Sequence, residues 1–106
     1  MSLGQHNPHR ILAYSHDAVL LQTRCMVLRN AGFLVDAANS EDELETYMAE
    51  AHVPYDLLLL GHTISDTELP KITTLAADSS TLVHRLCGPI DPQQLIGELS
   101  ERLKRN

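Results

Sequence analysis

The chain has 106 residues, 43% of them apolar and 21% charged, the balance of a single globular domain with one core. Eight Lys and Arg against fourteen Asp and Glu give a net charge of −6 and a pI near 5.3, which argues against nucleic acid or an anionic membrane as a direct partner. Two cysteines without Cys-x-x-Cys spacing, Cys25 and Cys87, and no spanning or signal-peptide-like apolar run, point to a protein of the reducing cytoplasm.

Residues 1–9 carry no periodicity and are expected to form a disordered leader to a domain spanning 10–106. Arg10 to Ser15 reads as a first strand, closed by His16 and Asp17. Asp17 is placed to cap a helix from Ala18 to Asn30, in which Leu21, Cys25 and Leu28 form an apolar stripe widened by Leu20, Val27 and Ala31. Gly32 supplies the left-handed stop, and Phe33 to Ala37 makes a second strand. Ser40-Glu41-Asp42-Glu43 is a capping box in which the serine accepts from the Glu43 amide and Glu43 reaches back to the serine amide. The helix it opens puts Leu44, Tyr47, Met48 and Ala51 on one face.

Tyr55 to Leu60 contains four consecutive leucines and ends at Gly61, the pattern of a parallel strand buried on both faces. Functional groups in open α/β sheets gather just past the carboxyl ends of such strands. A third helix is expected near Asp66 or Thr67, with Pro70 in its first turn and Leu69, Ile72 and Ala76 packed inward. Thr81 to Cys87 reads as a fourth strand broken by Gly88-Pro89. Asp91-Pro92-Gln93-Gln94 starts a last helix that turns Leu95 or Ile96, Leu99 and Leu103 inward. Its Arg102, Lys104 and Arg105 suit a helix C-terminus. Alternating strands and helices imply a parallel sheet with right-handed crossovers. The first and last helices then share one face, and the second and third the other.

In order and spacing, residues 10 to 104 resemble the bacterial response-regulator receiver domain. The resemblance rests on the first strand and helix, Gly32-Phe33-x-Val35, the capped second helix, the Asp56-Leu57-Leu58-Leu59-Leu60 strand and the ending Pro89-Ile90-Asp91-Pro92-x-x-Leu95. It implies a flavodoxin-like, three-layer fold with sheet order 2-1-3-4, shortened by about one βα unit, because the chain runs from the fourth strand straight into Gly88-Pro89.

The family's functional residues do not carry over. Ser15 and His16 stand where the resemblance implies two metal-holding acids, Gly61 at the phosphoacceptor, Cys87 near the hydroxyl residue of strand four, and Gly88 at the lysine. Asp17 survives from the acidic run, and an N-cap explains it. Phosphotransfer needs a carboxylate nucleophile, an acidic Mg²⁺ pocket and a cation. The expectation is therefore a pseudo-receiver with no enzymatic activity and no cofactor: a phosphorylation-independent signalling module that binds a protein partner.

The strand-end cluster supports an alternative from another class. His16 and His62, with Asp17 or Cys87, could hold a transition metal, or Cys87 could be activated as a thiol by either histidine. A third reading turns the emptied acidic pocket over to a small molecule. The missing βα unit leaves strand four as an open edge, so Leu82, His84 and Leu86 are candidates for a dimer interface. The Gly88–Pro89 bond, cis at the matching place in receivers, is open to either isomer here.

Overall fold

A computed structural model of the protein describes residues 9–51, 53–86, 88 and 90–104. The leader up to residue 8 lies outside the described residues, as do Cys87, Pro89 and with them the isomer of the Gly88–Pro89 bond. His9, at the end of the expected leader, already belongs to the structure: its carbonyl accepts from the Leu34 amide at 3.0 Å.

Four strands and four helices alternate among the described residues: β1 (Arg10–Tyr14), α1 (Ala18–Asn30), β2 (Leu34–Ala38), α2 (Glu41–Glu50), β3 (Leu57–Leu60), α3 (Leu69–Asp78), β4 (Leu82–Arg85) and α4 (Pro92–Lys104). All pairings are parallel and the sheet order is β2-β1-β3-β4, the order that the resemblance to receiver domains implies. Side chains of successive strand residues point to opposite faces, so the leucine run divides cleanly. Leu57 and Leu59 join Ile11, Ala13 and Val35 beneath α1 and α4, which contribute Leu21, Cys25, Leu28, Leu95, Leu99 and Leu103. Leu58 and Leu60 join Leu12, Tyr14 and Ala38 beneath α2 and α3, with Leu44, Ile72 and Ala76. The first and last helices share one face, as expected.

The local stops also follow from the sequence. Asp17 Oδ1 accepts from the Leu20 amide at 3.0 Å, and Gly32 takes the left-handed φ of 102° after α1. Asp91 Oδ1 accepts from the amides of Gln93 and Gln94. Three details differ from expectation. Ser40 Oγ caps Glu43 as foreseen, but Glu43 Oε1 accepts from the Asn39 amide at 2.9 Å, one residue earlier than a standard capping box would place it. The third helix begins at Leu69 rather than near Asp66 or Thr67; the Glu68 side chain before it is bonded to Tyr14 of β1 and His16 of the following loop, and Ser65 bonds back to Glu68. Regular strand pairing in β3 begins two residues after Tyr55, whose hydroxyl instead donates to Asp36 Oδ2 at 2.6 Å.

The fourth strand corrects the edge expectation. The Leu82 amide donates to Asp56 O and the Leu86 amide to Leu60 O, so the alternation of a parallel ladder turns residues 82, 84 and 86 toward β3. The backbone groups facing the open side belong to Val83 and Arg85. Leu86 is buried in the α1–α4 core and Leu82 packs against it, while His84 Nε2 lies 3.0 Å from Glu98 Oε1. Arg102 Nη2 reaches across to donate to Val83 O at 2.8 Å, which covers part of the edge with a charged side chain.

Candidate functional site at the strand ends

The register aligns Tyr14 with Leu60, so the chain leaves β1 at Ser15 and β3 at Gly61 side by side. The Gly61 amide donates to Tyr14 O at 2.9 Å, and the Ser15 amide to Ala38 O at 3.2 Å. These bonds fix both residues at the carboxyl end of the sheet. Ser15 Oγ, almost fully buried, accepts from the Asp17 amide at 3.1 Å and lies 3.4 Å from Thr63 Oγ1. A Cβ on Gly61 would fall 2.8 Å from Ser15 Oγ, 2.9 Å from Ser15 Cβ and 3.1 Å from Arg24 Nη1. Any larger residue here would force Ser15 to shift.

Arg24 comes from α1 and was not singled out by the strand-end motifs. It is only 5% exposed, and its Nε, Nη1 and Nη2 are buried with no hydrogen-bond partner among the described residues. Burial pushes its pKa down, against the opposing field of the Asp17 carboxylate. Leaving a charged group in this state costs on the order of several kcal/mol. The sequence does carry a signal for it: Leu21, Arg24, Cys25 and Leu28 fall at i, i+3, i+4 and i+7, which places an arginine in the buried seam of the helix.

A Mg²⁺ ion of the kind receivers use does not fit this pocket. Magnesium takes hard oxygen ligands, chiefly carboxylates, phosphates and water. Ser15 and Gly61 bring no carboxylate, Asp17 is occupied as the α1 cap, and a guanidinium occupies the space beside Gly61.

His16 turns away from the pocket toward α3. Its Nε2 lies 3.1 and 3.0 Å from the two oxygens of Glu68, which also accepts from Tyr14 Oη at 2.9 Å and from the amide and hydroxyl of Ser65. Burial alone would raise the Glu68 pKa, but the bonds from His16, Tyr14 and Ser65 outweigh it and hold the carboxyl at about 2. Because this value lies below the ordinary 4.5, the stabilisation is present above about pH 4.5 and is lost as pH falls through 2. Glu68→Gln is therefore expected to flatten the loss of stability between pH 5 and pH 2, measured by urea midpoints at each pH.

His62 is exposed, and among the described residues no group of three or more His, Cys, Asp or Glu side chains is placed to hold a metal ion. Asp66 pairs with Arg85 at 2.7 Å, and Arg85 also donates to Ile64 O, closing the loop after β3 onto β4. Gly88 borders open space, and Cys87, the thiol of both alternative readings, falls outside the described residues.

An open, doubly wound parallel sheet with its polar cluster at the carboxyl ends of adjacent strands defines the class. No family model matches the sequence, and no curated protein matches it. Solved structures share the fold. The chain is similar to a response regulator from Thermotoga maritima, with a TM-score of 0.79 at 15% identity over 92% of this chain and 99% of that one. It is similar to a two-component response regulator from Clostridium difficile, with a TM-score of 0.71 at 21% identity over 92% and 97%. A CheY-like response regulator receiver domain protein from Methanospirillum hungatei JF-1 gives 0.69 at 18% identity over 93% and 96%. The chain has the receiver fold, with four strands among its described residues in the order 2-1-3-4. Among the described residues no helix is long and apolar enough to cross a membrane.

Proposed function

We propose that this domain is a cytoplasmic pseudo-receiver: a signalling module that recognises a protein partner without being phosphorylated and without catalysing a reaction. The observation that carries this reading is a glycine at position 61, where the resemblance to receivers calls for a carboxylate, with a buried guanidinium beside it. Receiver phosphotransfer needs a carboxylate nucleophile and a divalent cation at that point, and both are opposed by the same two residues. The likeness to response regulators supports the signalling context, and the charge of −6 favours a protein partner over nucleic acid or membrane. Incubation with acetyl phosphate and Mg²⁺ is expected to leave the intact mass unchanged. Addition of one phosphoryl group to an aspartate would overturn the reading.

The sheet edge adds a second element to the proposal. The Val83 and Arg85 backbone groups on the open side of β4 can pair with those of a second copy related by a two-fold axis, provided Arg102 releases Val83 O. Sedimentation at high micromolar concentration is expected to show a dimer. A strict monomer would count against pairing through this edge.

A further inference from the structure

At the opposite end of the sheet from Ser15 and Gly61, Arg10 and Leu34 open β1 and β2 side by side in register. They border a surface cavity of about 310 Å³ whose wall also holds Arg29, Phe33, Asp36 and Tyr55. We infer that this cavity binds a small organic monocarboxylate with a flat apolar body, its charge held by Arg10 and Arg29. This goes beyond the proposed protein-binding role and does not depend on it.

The first observation is charge. The chain has fourteen Asp and Glu against eight Lys and Arg, yet neither Arg10 nor Arg29 forms an ion pair among the described residues. It is the backbone amide of Arg10, not its side chain, that meets an acid, donating to Asp56 Oδ2 at 2.7 Å. The half-buried Arg10 guanidinium lies over the Tyr55 ring, its Cζ 4.9 Å from the centroid. A guanidinium held against a ring face keeps its donors around its rim, where a carboxylate can meet them. Arg29 is pinned to the edge of β2 by donating from Nε and Nη2 to Val35 O, at 3.2 and 2.7 Å, which leaves Nη1 for a ligand.

The rest of the wall selects the kind of anion. Asp36 is the one carboxylate on the described wall, and it accepts from Tyr55 Oη at 2.6 Å. Two cations and one anion leave a net charge of one, which suits a monoanion better than a phosphate dianion. Planar guanidinium donors match the two oxygens of a flat carboxylate. Phe33, Leu34 and the Tyr55 ring supply apolar surface for the body, and Leu34 is a large strand residue left 53% exposed. At about 30 Å³ for each water-sized group, the cavity holds roughly ten heavy atoms.

Benzoate is the probe, titrated into the full chain and followed by NMR. It is expected to shift the Nε–Hε resonances of Arg10 and Arg29 and the Leu34 methyls along one saturation curve. Benzamide keeps the body without the charge, and phosphate keeps the charge without the body. Each should bind these residues at least about tenfold more weakly than benzoate. Arg10→Met should weaken benzoate by a similar factor, and Leu34→Ala by about three- to tenfold. Equal affinity for benzoate and benzamide would overturn the site, as would phosphate binding as tightly at the same resonances. So would the lack of a saturable shift up to about 20 mM, a range in which a Kd of about 1 mM is readily seen. Should the methionine variant fail to fold, Leu34→Ala decides, because an unchanged benzoate affinity there would place any binding outside this cavity.

Discussion

Leu59→Ala is expected to destabilise the domain by about 2–5 kcal/mol, the usual range for removing a fully buried leucine and leaving a cavity. Leu59 is 1% exposed, sits on an inner strand between β1 and β4, and faces the layer formed by α1 and α4. Its register partner on β1 is Ala13, which is too small to collapse into the space. A domain of this size commonly has only about 5–15 kcal/mol of stability in total, so one truncation consumes a large share. Leu34→Ala provides the contrast. Leu34 is also a strand leucine, but it lies on the edge strand and is 53% exposed, so its truncation should change stability by no more than about 0.5 kcal/mol. Urea midpoints of the two variants measure this directly. Similar losses at both positions would mean that the sheet is not sandwiched as described.

The same leucine run explains why the architecture was legible in the sequence. Four apolar residues without alternation can only be a strand covered on both faces or part of a buried helix, and Gly61 ends the run too early for a helix. Once that strand is central, the capped amphipathic helices around it imply right-handed βα crossovers, while the strand order 2-1-3-4 rested on the resemblance to receivers. The open backbone groups of β4 were less legible. Which residues turn toward β3 depends on the register of the pair, and a shift of one residue exchanges 82, 84 and 86 for 83 and 85. Glu68 was hidden for another reason: its partners Tyr14 and His16 lie 54 and 52 residues away, and no local pattern links them. The absence of acids at Ser15, His16 and Gly61 could be read directly, whereas the cation that fills the gap comes from the helix seam.

Gly61→Ala and Gly61→Asp are expected to differ in a way that isolates this cation. An alanine brings only a Cβ, which collides with Ser15 Oγ and Cβ at 2.8 and 2.9 Å. Ser15 cannot retreat easily, because it is buried and its hydroxyl accepts from the Asp17 amide. Overpacking of this kind costs about 1–3 kcal/mol. Aspartate suffers the same collision but also brings a carboxylate to within reach of Arg24 Nη1, which is 3.1 Å from the new Cβ position. A charge-assisted bond to an otherwise unpaired guanidinium should return about 1.5–3 kcal/mol, so the aspartate variant should be the more stable of the two. Placing both substitutions on an Arg24→Met background reverses the order, because the carboxylate would then be buried without its cation. The measurement is a double-mutant cycle from urea unfolding, and a coupling energy near zero would show that Arg24 does not face position 61. Even with its carboxylate restored, the aspartate variant should take up no phosphoryl group from acetyl phosphate, since Arg24 engages the nucleophile and no acidic pair is present to bring Mg²⁺ to it.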